Sequence, residues 1–167
     1  MVSEDVEFKL EEVKFHIELL YAIQETGKSL THINDPIKEA SYLLSAVLNA
    51  FYSVTEMCGG KKINLVKEFR ESNPKIYAGS GKGGLRNTTV HLSHKQIDFS
   101  GYVPPKAGMI KMNFKETPKL VPNKYQDGVL HLNFTTIFYI EICDELISVV
   151  DFCNEHLKLL EKFVSKL

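Results

Sequence analysis

Cysteine is scarce in this chain, and what there is of it is scattered. Three cysteines, Cys58, Cys143 and Cys153, occur in 167 residues. They are odd in number, far apart and form no C-x-x-C pair, so neither a disulfide framework nor a thiolate metal knuckle is expected. All three fall on or near apolar helical positions, which predicts buried free thiols in a reducing compartment. No apolar run approaches the roughly 18 residues that would span a bilayer. The N-terminus, MVSEDVEFKLEE, is acidic and has no apolar h-region, so it does not read as a secretory signal. A cytoplasmic location without membrane contact is the expectation. Internal repeats, low-complexity segments and Pro-rich linkers are also missing, and the length fits a single domain, residues 1–167.

Net charge is nearly absent as well, at -1, but that figure hides an asymmetry. From Lys61 to Lys124 there are 13 Lys plus Arg and 4 Asp plus Glu, a local net of +9. The remainder carries -10. A basic zone of this kind attracts phosphate backbones even on a slightly acidic protein, although lysine-rich loops also serve solubility alone.

What is present is hydrophobic material, 44% of residues, laid out mostly with helical periodicity. Val6, Leu10, Val13, Ile17 and Leu20 predict a first helix from about Glu4 to Thr26, capped by Ser3 and stopped by Gly27. Asp35-Pro36 restarts the chain, with a cap residue followed by proline at the first helical position. Ile37, Ala40, Leu44, Val47, Phe51 and Val54 then predict a helix to about Met57, broad enough in its apolar stripe to pack on several neighbours. A shorter helix is expected from about Asn64 to Glu71, ended by Asn73-Pro74. Glycines from Gly79 to Gly84 describe a loop, followed by a short helix from about Gly84 to Lys95. Residues 97–133 hold four prolines and two strand-like runs, Met109 to Phe114 and Val129 to Phe134, and read as an insertion. Ile140, Cys143, Ile147, Val150, Cys153, Leu157, Leu160 and Val164 predict one closing helix from about Thr136 to Ser165, roughly 45 Å long. The expected fold is all-α: an antiparallel bundle of four to five helices, with a β-hairpin-like or irregular insertion before the long C-terminal helix.

The segment Arg86 to His91, R-N-T-T-V-H, lies inside the basic zone. Arginine grips phosphate through a permanent, planar fork, and histidine moves protons near neutral pH. On an ideal helix Arg86 and His91 are about 140° apart, whereas Asn87 and His91 share a face. Arg86 is therefore placed at the loop–helix junction. In this reading Arg86 holds phosphate, His91 serves as general acid or base, and Asn87 orients His91 or the substrate. The structural alternative is an arginine paired with a carboxylate and a half-buried histidine.

LRNTTVH resembles the signature of the HEPN domain family, an arginine followed a few residues later by histidine, with Asn, Asp or His commonly after the arginine. The helix order is also similar: two long helices, a shorter helical region carrying the motif, then a closing helix. The resemblance covers most of the chain except about 97–133. It implies a metal-independent endoribonuclease or RNA-binding domain, working as a homodimer whose two motifs face one another across a cleft. Arg86 and His91 would be catalytic and Asn87 supporting, with no cofactor. Some members are toxins neutralised by a partner, so an antitoxin or other protein partner is a further implication. The long insertion and the glycine-rich approach depart from a minimal HEPN domain.

Around the motif, Lys82, His94, Lys95 and Tyr77 are the candidate RNA-binding residues, Tyr77 by stacking on bases, with aromatic core packing as the favoured structural alternative for it. GSGKGG is not a Walker loop: with Gly81-Lys82 as the Gly-Lys pair, the first position is Ile76 and the last Gly83, and no strand precedes it. His91 and His94 lack companion ligands at short spacing, His131 being remote, so no metal site is expected. The competing functional class is a non-catalytic helical interaction module of a stress, defence or toxin–antitoxin system, docking through the apolar final helix.

Overall fold

The computed structural model describes residues 3–79, 84–91, 97–103, 113–115, 136–142 and 145–167. Among them the chain forms α1 (Glu4–Thr26), α2 (Pro36–Met57), α3 (Ile63–Glu71), α4 (Pro74–Tyr77), α5 (Leu85–His91) and α6 (Val149–Val164). Four strands precede α6: β1 (Asp98–Val103), β2 (Asn113–Lys115), β3 (Ile137–Ile142) and β4 (Glu145–Ser148). The fold is mostly helical, as expected, with a small antiparallel sheet set before the C-terminal helix. None of the described helices is long and apolar enough to cross a membrane.

Local chemistry sets the first two helices. The Ser3 hydroxyl accepts from the Val6 amide, and Glu4, Asp5 and Glu7 sit at the positive end of α1. Gly27 adopts φ 62°, a left-handed conformation suited to glycine, and donates its N–H to the Ile23 carbonyl. Asp35 accepts from the Lys38 amide at 3.0 Å, with Pro36 opening α2. The turn between the helices is fixed by Glu39, which is 4% exposed. Its carboxylate accepts from the Ser29 and Thr31 hydroxyls and from the Leu30 and Thr31 amides. Burial works to raise the Glu39 pKa, but these hydrogen bonds outweigh it and hold the carboxyl below its usual range.

The core runs along the α1–α2 contact and is closed by α6. Val13, Ile17, Leu20 and Ile23 from α1 meet Leu44, Val47, Leu48, Phe51 and Val54 from α2. Cys153, Leu157, Leu160 and Val164 from α6 complete it. Each fully buried Leu, Ile or Phe contributes about 1.5–3 kcal/mol. The main apolar stripe of α6 is thus packed into the core.

The largest departure from expectation lies at 136–148. The predicted closing helix from Thr136 is in fact a hairpin, β3 paired antiparallel with β4, and then a helix of 16 residues, about 24 Å long. Ile140 and Ile147 face each other across that hairpin instead of lying on one helix face. The reason is visible in β3, where Phe138, Ile140 and Ile142 are buried and alternate with more exposed neighbours, the period of a half-buried strand. Ser148 caps α6, accepting from the Asp151 amide. The sheet order is β2-β1-β3-β4, all neighbours antiparallel. β1 and β2 fall within the expected 97–133 insertion. Of its two predicted strand-like runs, 109–112 and 129–134 lie outside the described residues. Tyr139 donates to Asp98 across the β1–β3 pair at 3.1 Å, and Gln24 of α1 accepts from the Phe138 amide, so the sheet is tied to the bundle.

Candidate functional site

The C-terminal turns of α2 present Tyr52, Thr55 and Glu56 on adjacent positions of one face. Thr55 is fully buried and donates its hydroxyl to the Tyr52 carbonyl at 2.8 Å. The same oxygen accepts from Nε and Nη2 of Arg70, which comes from the last turn of α3. Nη2 of Arg70 also donates to Glu56 at 2.6 Å. The Arg70 guanidinium carbon lies 4.2 Å from the Tyr52 ring centroid, a cation–π geometry.

α5 brings the sequence motif to the same ring. Its start is set by a close backbone approach: a Cβ on Gly84 would stand 2.0 Å from the Ala78 carbonyl oxygen. Only glycine allows that contact. The Ala78 carbonyl also accepts from Nδ2 of Asn87 at 3.0 Å, so Ala78 is held against both Gly84 and Asn87. Thr88 and Thr89, poor helix formers by propensity, return their hydroxyls to the Gly84 and Leu85 carbonyls. Leu85 and Thr89 are buried and anchor the helix.

Arg86 is the second residue of α5, as placed from the sequence. Its Nη1 donates to Oδ1 of Asn87 at 2.8 Å, and its guanidinium carbon lies 4.1 Å from the Tyr52 centroid. Its Nε is buried without a hydrogen-bond partner. Among the described residues no carboxylate forms a salt bridge with Arg86; its direct contacts are an amide and a ring, and the Glu56 carboxylate feels its charge from farther away. Asn87 orients Arg86 and braces the Ala78 carbonyl. α5 includes His91, but the His91 side chain lies outside the described residues, as do Lys82, His94 and Lys95.

Tyr77 takes the packing role and not the base-stacking one. It is 9% exposed and packs between Phe69 and His156, so its ring is not presented for base stacking. Its hydroxyl is hydrogen-bonded to Nε2 of His156 at 2.9 Å. Burial pushes the Tyr77 pKa up and pulls that of His156 down to about 4. His156 therefore remains neutral near physiological pH, edge-on to Phe51. Beside it the α3–α4 junction, α4 and α6 leave a cavity of about 280 Å³ lined by Asn73, Lys75, Phe152, Glu155, His156 and Leu159.

Sequence reasoning missed Tyr52, Arg70, Glu56 and His156. The first three lie on helices outside the motif, and only the fold brings Arg70 and Arg86 to one aromatic ring. His156 carried a signal, since it stands in the apolar stripe between Cys153 and Leu160. Among the described residues no group of three His, Cys, Asp or Glu is gathered as a metal-binding set. The Cys58 and Cys153 thiols are free, and burial raises both pKa values, that of Cys153 to about 12. Neither is therefore primed as a nucleophile. No protein-family model, curated protein or solved structure matches the chain.

Proposed function

We propose that this chain acts on RNA in the manner of HEPN domains, as a metal-independent endoribonuclease or RNA-binding domain. Arg86 holds the phosphodiester and His91 carries the proton transfers. The ribose 2′-hydroxyl attacks the adjacent phosphorus and the bond to the 5′-oxygen breaks, leaving a cyclic phosphate and a 5′-hydroxyl. His91 handles the protons while Arg86 stabilises charge that builds on the phosphate. Two copies meeting motif to motif supply the cleft, and an antitoxin-like protein is a further proposed partner.

The observation that supports this reading is the state of Arg86. Its guanidinium is oriented by Asn87 and stacked on Tyr52, with no carboxylate in salt-bridge range among the described residues and Nε unpartnered. A guanidinium with no bonded acid keeps donors for a phosphate. The test is cleavage of single-stranded RNA in the presence of a chelator by wild type, Arg86→Ala and His91→Ala. A loss of about 10²–10⁴-fold in each variant is expected. Unchanged cleavage in both removes the assignment.

One observation favours the second reading, a non-catalytic interaction module. Phe8 and Phe15, one heptad apart on α1, are 67% and 56% exposed. If RNA neither binds nor is cleaved, while Phe8→Ser with Phe15→Ser abolishes self-association or partner capture, that reading replaces the first.

A further inference from the structure

Two guanidiniums from different helices share the Tyr52 ring, Arg70 at 4.2 Å and Arg86 at 4.1 Å from its centroid. They are not equally engaged. Arg70 is held in place by Thr55, whose buried hydroxyl accepts from both Nε and Nη2. Its remaining hydrogen-bond partner is Glu56, at 2.6 Å. That pair is lopsided: the Arg70 side chain is 22% exposed and that of Glu56 is 56% exposed. The arginine is built into the surface, while the carboxylate stands largely in water.

Resting on the RNA reading above, we propose that Arg70 is a second phosphate-holding residue of the Arg86 site, and that the Glu56 carboxylate is the internal counter-ion that an RNA phosphate displaces. A carboxylate and a phosphate offer a guanidinium the same paired anionic oxygens. Glu56 feels both cations. The hydrogen bond from Arg70 is the main cause of its lowered pKa; burial opposes this, and the Tyr52 hydroxyl and the charges of Arg70 and Arg86 add to it. Glu56 is therefore ionised when RNA arrives and must be exchanged. Exposed ion pairs of this kind are weak, so the exchange is easy. Removing Glu56 leaves Arg70 in place, because Thr55 positions it independently.

The positioning makes opposite predictions for two neighbouring residues. Binding of an uncleavable 2′-O-methyl RNA oligonucleotide, measured by fluorescence anisotropy across a salt series, separates them. Glu56→Gln, isosteric and at the surface, is expected to tighten binding about 3–10-fold at low salt, because competition and repulsion are both relieved. Arg70→Gln is expected to weaken binding by at least about 5-fold and to reduce the log–log salt slope by about 0.7. Thermal melts establish that each variant is folded. Should Arg70→Gln melt early, Glu56→Gln decides alone, because its own side chain is more than half exposed. Unchanged or weaker binding by Glu56→Gln overturns the proposal, as does wild-type binding by folded Arg70→Gln. The outcome is separable from the nuclease reading, which depends on cleavage by Arg86→Ala and His91→Ala. Cleavage lost in those variants, with binding indifferent to Glu56, defeats this inference alone. Binding tuned by Glu56 and Arg70, with cleavage untouched, defeats only the nuclease assignment.

Discussion

Gly84→Ala is the sharpest test of how the fold builds its candidate site. The added Cβ would lie 2.0 Å from the Ala78 carbonyl oxygen and 2.7 Å from its carbon, whereas ordinary contact begins near 3.4 Å. Either backbone must retreat by more than about 1 Å, an overpacking strain of about 1–3 kcal/mol. At this chain length that corresponds to a fall in Tm of about 2–12 °C. The displaced carbonyl is also the acceptor for Asn87, and Asn87 is the group that orients Arg86. Strain at residue 84 is therefore transmitted to the guanidinium over Tyr52. If the nuclease reading holds, a misplacement of this size costs about 10²-fold in RNA cleavage. Gly60→Ala is the internal control, because a Cβ there meets nothing within 4 Å and Gly60 has no positive φ. It should be neutral or stabilising by up to about 1 kcal/mol, through the unfolded chain. Urea melts of the two variants beside wild type decide the matter. If Gly84→Ala is as stable as Gly60→Ala, the close approach does not set the start of α5 and the reasoning fails.

Two further perturbations address stability. Replacing Glu39 by Gln removes the charge and part of the accepting capacity that hold Ser29, Leu30 and Thr31, and should cost about 1–3 kcal/mol in a urea melt. No loss would mean that the α1–α2 turn holds itself. His156 predicts an acid sensitivity: its pKa falls from 6.5 to about 4 on folding. The unfolded chain thus takes up a proton that the folded chain refuses. Stability is full above about pH 6.5 and falls as pH drops toward 4, by about 3 kcal/mol at most. Glu39, with its lowered pKa, adds a loss only in the carboxylate range, so the slope between pH 6.5 and 5 belongs to histidine. His156→Gln should flatten that slope in pH-dependent melts, and an unchanged slope would remove His156 as its source.

The parts of this fold that were legible are those written locally. Ser3, Gly27 and Asp35-Pro36 mark their helix ends through contacts within four residues, and they do so in the structure. Residues 136–148 were misread because Ile140, Ile147 and Val150 satisfy a helical spacing while Phe138, Ile140 and Ile142 satisfy a strand spacing. Only pairing with β1 and β4 decides between the two periods. The site divides in the same way. Arg86 and Asn87 are neighbours in the motif and both were singled out there, but the hydrogen bond between them was not expected. The Thr55–Arg70 contact spans 15 residues and Tyr77–His156 spans 79, with no periodicity to announce either.

The Glu39 turn carries a kinetic consequence. Every donor to its carboxylate lies eight to ten residues upstream, so one short closure completes the turn and the start of α2 together. Short closures have a low entropic barrier and form early. The α1–α2 hairpin is thus the expected folding nucleus. The sheet and α6 must then wait for contacts across much longer stretches of chain, such as Gln24 with Phe138, 114 residues apart. Arg70 and Arg86, which reach the ring of Tyr52 from α3 and α5, can be seated only once that first hairpin exists. The candidate site is then assembled on a platform that has already formed.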